Sequence, residues 1–186
     1  MNGNRLTLKD RYSGRFELFD LVVIAVFCAI GLAIKPILNP VFHTFTTALR
    51  IPGGSLSGGF LLMWMVLARV IVNKRGVALL FGVAQGLVVM MLGSFGSHGA
   101  FTLITYGLPG LVVEVFALFL RGETLLVFCV YTIFANLTGV MIVSLVVMQL
   151  PPLLLVIALI TATISGLFGG FLAEIIFGEM KKFKII

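Results

Sequence analysis

Polar and aromatic side chains placed in or beside long apolar runs are the residues of this sequence that could do chemistry. Gln85 lies near the middle of one run. Tyr106, Gly110 and Glu114 recur at i, i+4 and i+8 in another, which on a helix puts them on one face. Thr132 and Asn136 repeat that spacing, and Ser165 sits in the last run. A polar group in hydrocarbon is costly, so each must face protein or water. Trp64 could stack on a flat ring, and His98, between Ser97 and Gly99, sits in a conformationally free turn. Trp64, Gln85, His98, Tyr106, Glu114 and Asn136 form the candidate substrate-binding set. Glu114 would suit a cationic or donor-rich ligand. Its competing reading is a structural pair with Arg69 or Arg121. For Trp64 the competing reading is packing, and for His98 a solvated loop. Arg50 is either a gate or a contact to lipid head groups, and Glu174 is read as a structural charge.

Other chemistries find little support. There is no glycine-rich loop ending in Gly-Lys-Ser/Thr and no His-Glu-x-x-His, so neither an ATP site of that type nor a metal site is expected. Cys28 and Cys129 lie in apolar runs and read as small hydrophobic residues. Ser57 with His98 faintly suggests a serine hydrolase but lacks the usual nucleophile setting. The expectation is a protein that is not an enzyme and needs no cofactor.

The elements that position these groups are membrane spans. The chain has 186 residues, 60% hydrophobic and 11% charged, with a mean hydropathy of +1.20. This predicts an all-α integral membrane protein, a compact bundle of six transmembrane helices. The spans are expected near 18–38, a second ending at Val72, then 77–92, 101–120, 124–148 and 153–177. Residues 1–17 form a basic lead-in without a signal-peptide pattern, and 18–186 a single membrane domain. The stretch 39–59, with Pro40, His43, Arg50 and the Pro52–Gly59 run, reads as a long folded outer loop between the first two helices. All Lys and Arg except Lys35 and Arg50 fall at one set of segment ends. The positive-inside rule then puts both termini in the cytoplasm of a cell-membrane protein. The net charge of +6 therefore reports orientation rather than nucleic-acid binding.

In the first span, Ala25, Ala29 and Ala33 stack at intervals of four, a flat stripe that lets another helix come close. Packing within the bundle is the competing reading. With this stripe, the span count and two central segments, the chain resembles the substrate-binding S component of an energy-coupling factor (ECF) vitamin transporter. Gly76–Gly93 and Tyr106–Leu118 are similar to the branch handling thiamine and its hydroxymethylpyrimidine precursor. The resemblance implies a membrane subunit that binds a vitamin under the 39–59 loop. It also implies that Ala25, Ala29 and Ala33 dock on a separate T subunit carrying two ATPases. An S component for another vitamin such as cobalamin stays open, as does a self-sufficient secondary transporter.

Overall fold

Glycine and proline punctuate the apolar runs, and most helices start or stop at them. The structure, a computed structural model, describes residues 15–93 and 98–184. Its helices are α1 (Leu18–Ala48), α2 (Gly54–Val72), α3 (Val77–Leu92), α4 (Thr102–Phe119), α5 (Leu125–Ile142) and α6 (Pro152–Lys182). A π-helical turn, Val143–Val147, extends α5. Gly76 and Gly93 bracket α3 at φ of 86° and 57°, a left-handed backbone that glycine adopts freely. Pro152 opens α6 where its missing N–H costs nothing. Five of these helices are long and apolar enough to cross a bilayer. The six-helix bundle expected from hydropathy is present, with no strand among the described residues.

Three expectations change. The first helix does not end near residue 38 but runs on through Pro40 to Ala48, with Pro36 also inside it. The long outer loop over 39–59 is therefore helix on both sides of a short turn, and Ser57, Gly58 and Gly59 belong to α2. A proline breaks a helix in water. In a bilayer, unwinding the segment would strand many more backbone groups than the one N–H each proline lacks. Helix α6 also runs past Phe177 to Lys182. The basic lead-in up to residue 14, and residues 94–97 of the glycine turn, lie outside the described residues.

Helix α2 is the axis, packed by α1, α3, α5 and α6. Its crossing with α6 is backbone on backbone. A Cβ at Gly59 would lie 1.9 Å from the Ser165 carbonyl oxygen, and one at Gly169 would lie 2.1 Å from the Gly59 carbonyl oxygen. The Ser165 hydroxyl accepts from the Gly59 N–H at 3.1 Å and donates to Leu56 O. Gly59→Ala should lose about 2–3 kcal/mol by overpacking. Denaturant unfolding in detergent reads this, and an unshifted midpoint would contradict so tight a crossing.

Helix α1 lies at the edge of the bundle, against α2 and α3. Ile24, Phe27, Cys28, Gly31 and Lys35 form its buried face. Ala25, Ala29 and Ala33 are all exposed on the opposite side, among the exposed Leu21, Val22, Val26 and Ile37.

One end of the bundle collects the charges. Lys74, in the α2–α3 turn, donates to Asp20 Oδ2 at 2.6 Å and to Arg15 O at 3.0 Å. Asp20 also accepts from the Glu17 N–H at 2.7 Å, closing a capping box on α1. The Asp20 carboxylate holds the Lys74 ammonium above its ordinary pKa. That raised value means the pair stabilises through neutral pH and is lost only as pH rises through the folded-state pKa. Asp20→Asn should cost about 3 kcal/mol, read as a lower unfolding midpoint at pH 7 that shrinks at strongly alkaline pH.

Candidate functional site

The end of the bundle opposite the ion pairs holds a cavity of about 560 Å³. Its wall on the α1 side is a stripe in the part of the sequence read as loop. Lys35, Asn39, His43 and Thr47 recur every four residues, so the helix that persists past Pro36 stacks them on one face. The His43 ring nitrogen Nδ1 and the Thr47 hydroxyl lie 2.8 Å apart. Arg50, at a left-handed φ of 54°, lines the rim.

Helix α2 contributes Ser57 and Gly58 from its first turns, and Gly53 just before it also lines the cavity. Ser57 donates to Gly53 O, which fixes its hydroxyl as part of the helix wall. Helix α3 contributes Gln85. A Cβ at Gly31 would lie 2.8 Å from Gln85 Nε2, so the glycine lets the amide lie against α1 one turn before Lys35. Helix α4 and its lead-in contribute His98, Thr105, Tyr106 and Pro109. The π turn after α5 contributes Val143 and Val147, apolar closure that helical periodicity would not predict.

The geometry sorts the candidate residues. Gln85, His98, Tyr106 and Asn136 all reach the cavity. Tyr106 accepts a hydrogen bond from Lys35 Nζ. Asn136 is also a tie between helices: its Nδ2 donates to Ala162 O at 3.0 Å and Ser55 O at 3.5 Å. Gly58 makes room for it, since a Cβ there would lie 1.9 Å from Asn136 Oδ1. Trp64 stands behind the wall, stacked on Phe27 with ring centroids 6.0 Å apart. Glu114 is not at the cavity. Its Oε1 accepts from the Ala78 N–H at 2.8 Å and pairs with Arg69 Nε at 3.1 Å. It thus satisfies an orphan donor at the start of α3 and neutralises a guanidinium that is 3% exposed. Thr132 bonds back to Phe128 O in its own helix. Of the lining residues overlooked in the sequence, Lys35 carried the clearest signal. It continues the i+3/i+4 series Ile24, Phe27, Cys28 and Gly31, all buried.

The cavity's charge is one-sided. Its charged lining residues are Lys35 and Arg50, beside His43 and His98, and no Asp or Glu lines it. Partial burial and repulsion from Lys35 hold the His98 imidazole below its ordinary pKa, so it is neutral at physiological pH. Among the described residues no three or more His, Cys, Asp or Glu side chains gather as a metal site.

A family model described as "ABC-type cobalt transport system, permease component" matches residues 19–138. The chain belongs to that family. It is a multi-pass membrane component of an ABC-type transporter, and such a permease works beside ATPase subunits. No curated protein and no solved structure matches the chain. The matched stretch begins one residue into α1 and ends inside α5. It contains the exposed alanines and the polar stripe.

Proposed function

We propose that this permease component is the substrate-binding subunit of an ECF-type importer. In this reading it takes up a vitamin or vitamin precursor, catalyses no reaction itself, and draws energy from a separate T subunit and its ATPases. The observation that carries the proposal is the cavity, placed at the end the positive-inside rule assigns to the outside. Its volume lies within the range of small-molecule sites. It suits a one- or two-ring vitamin better than a corrinoid. The exposed stripe of Ala25, Ala29 and Ala33 supports docking on a coupling helix, since close approach of backbones drives helix pairing in lipid.

The thiamine and hydroxymethylpyrimidine branch supplies the finer candidates. Basic side chains without a carboxylate disfavour the thiazolium cation of thiamine, and they repel a bare divalent cobalt ion. A self-sufficient secondary transporter would need a titratable carboxylate free to cycle in the spans. Glu114 is committed to Arg69 and Ala78 instead.

The test is binding by the purified chain in detergent, measured calorimetrically against a panel including hydroxymethylpyrimidine, thiamine, biotin, nicotinate and pyridoxal phosphate. The proposal expects saturable binding of one member without ATP hydrolysis. Failure to bind any of them sinks it.

A further inference from the structure

Among the described residues, Lys35 and Arg50 in the outer half have no protein counter-ion. From Leu21 to Val113, and again from Thr124 to Ala173, the sequence has no Asp or Glu. The carboxylates of Glu17, Asp20, Glu114, Glu123 and Glu179 all take part in ion pairs away from the cavity. Lys35 is 6% exposed. The only partner the structure gives its ammonium among the described residues is the uncharged Tyr106 hydroxyl. A buried ammonium is costly unless an anion meets it. One turn deeper, the Gln85 side chain is also 6% exposed, lines the cavity, and is hydrogen-bonded by no described residue. One turn outward, Asn39 Oδ1 is buried without a partner among the described residues.

We infer that the substrate is an organic anion whose carboxylate or phosphate is held between the Lys35 ammonium and the Tyr106 hydroxyl. The inference rests on the substrate-binding reading above and names the substrate class of that site. Because Tyr106 accepts from Lys35, its phenol proton is free to donate to the same anion. Such charge-assisted bonds are short and strong. Gln85, against Gly31, is placed to hydrogen-bond the uncharged part of the molecule below. Arg50, nearer the rim, adds positive field at the entrance.

The same feature predicts an unusual mutant. Lys35→Gln removes a buried charge that the empty protein leaves without a counter-ion. Without ligand, the variant should therefore melt at or above the wild-type temperature, whereas loss of a merely structural lysine lowers it.

The experiment is native mass spectrometry of the protein purified in non-ionic detergent from its own membranes, as wild type, Lys35→Gln and Lys35→Arg. It is paired with thermal shifts for matched probes: nicotinate against nicotinamide, biotin against biotinamide, and pyridoxal phosphate against pyridoxal. Expected is a retained solute bearing a carboxylate or phosphate, kept by Lys35→Arg and lost from Lys35→Gln. Among the probes, the anionic member of a pair should bind, and Lys35→Gln should weaken it by about 30-fold or more. A neutral or cationic solute, or an anion that Lys35→Gln retains equally, overturns the anion assignment while leaving a substrate-binding subunit in place. A retained anionic phospholipid also overturns it, by assigning the charge to lipid. A wild-type protein that arrives empty and is stabilised by no probe overturns both readings.

Discussion

Ala29→Leu or Ala33→Trp should cut uptake by at least about tenfold, the loss of roughly 1.4 kcal/mol of docking energy, while the purified variant binds ligand as well as wild type does. The reason is geometric. Both alanines face away from the bundle on α1, whose opposite face carries Gly31 and Lys35 toward the cavity. A large side chain at either position leaves that wall in place and pushes a partner helix off the stripe. Close contact is the main attraction between helices in lipid, so a gap of one side chain is enough to weaken docking. Uptake by whole cells, read beside calorimetric affinity of the purified variant, separates the two effects. Unchanged uptake would count against a docking role, and lost affinity would mean that α1 shapes the cavity from its far side.

Glu114→Gln should do the reverse of what a ligand carboxylate does. It should destabilise the fold by roughly 3 kcal/mol, the cost of breaking a buried pair on one side, and leave ligand affinity intact. Arg69 is 3% exposed and Glu114 12% exposed, and the carboxylate also holds the Ala78 N–H at the start of α3. A neutral amide there leaves the guanidinium without this counter-charge. A lower unfolding midpoint with unchanged binding is the expected result. Unchanged stability with weakened binding would move Glu114 back into the site.

The two outcomes trace to how far sequence patterning reaches. Helix α3 was legible to the residue, since Gly76 and Gly93 stop an apolar run at both ends and nothing tertiary competes. The far half of α1 was not. Pro36, Pro40 and the glycine run after Pro52 carry the signals of a loop, and hydrocarbon overrides them because an unpaired backbone costs more there than a proline in a helix. Reading 39–59 as loop also hid the stripe Lys35, Asn39, His43 and Thr47, whose period of four has meaning only on a helix.

The candidate site was legible by the same logic. Gln85, Tyr106 and Asn136 were found because a polar residue in a span must face something, and His98 because of the free turn around it. Glu114 met the same criterion, but what it faces is Arg69. Periodicity gives the side of a helix and not the height of its partner. Trp64 was ambiguous for a related reason, since an aromatic stacks as readily on Phe27 as on a ligand.

Proteoliposomes test the central claim most directly, that this chain grips a solute and depends on separate subunits to move it. The purified chain alone, given a proton gradient and the solute it retains, should bind without accumulating it. The same chain reconstituted with an ATPase-bearing T-subunit complex should accumulate the solute only when ATP is present. Concentrative uptake by the chain alone would contradict the account.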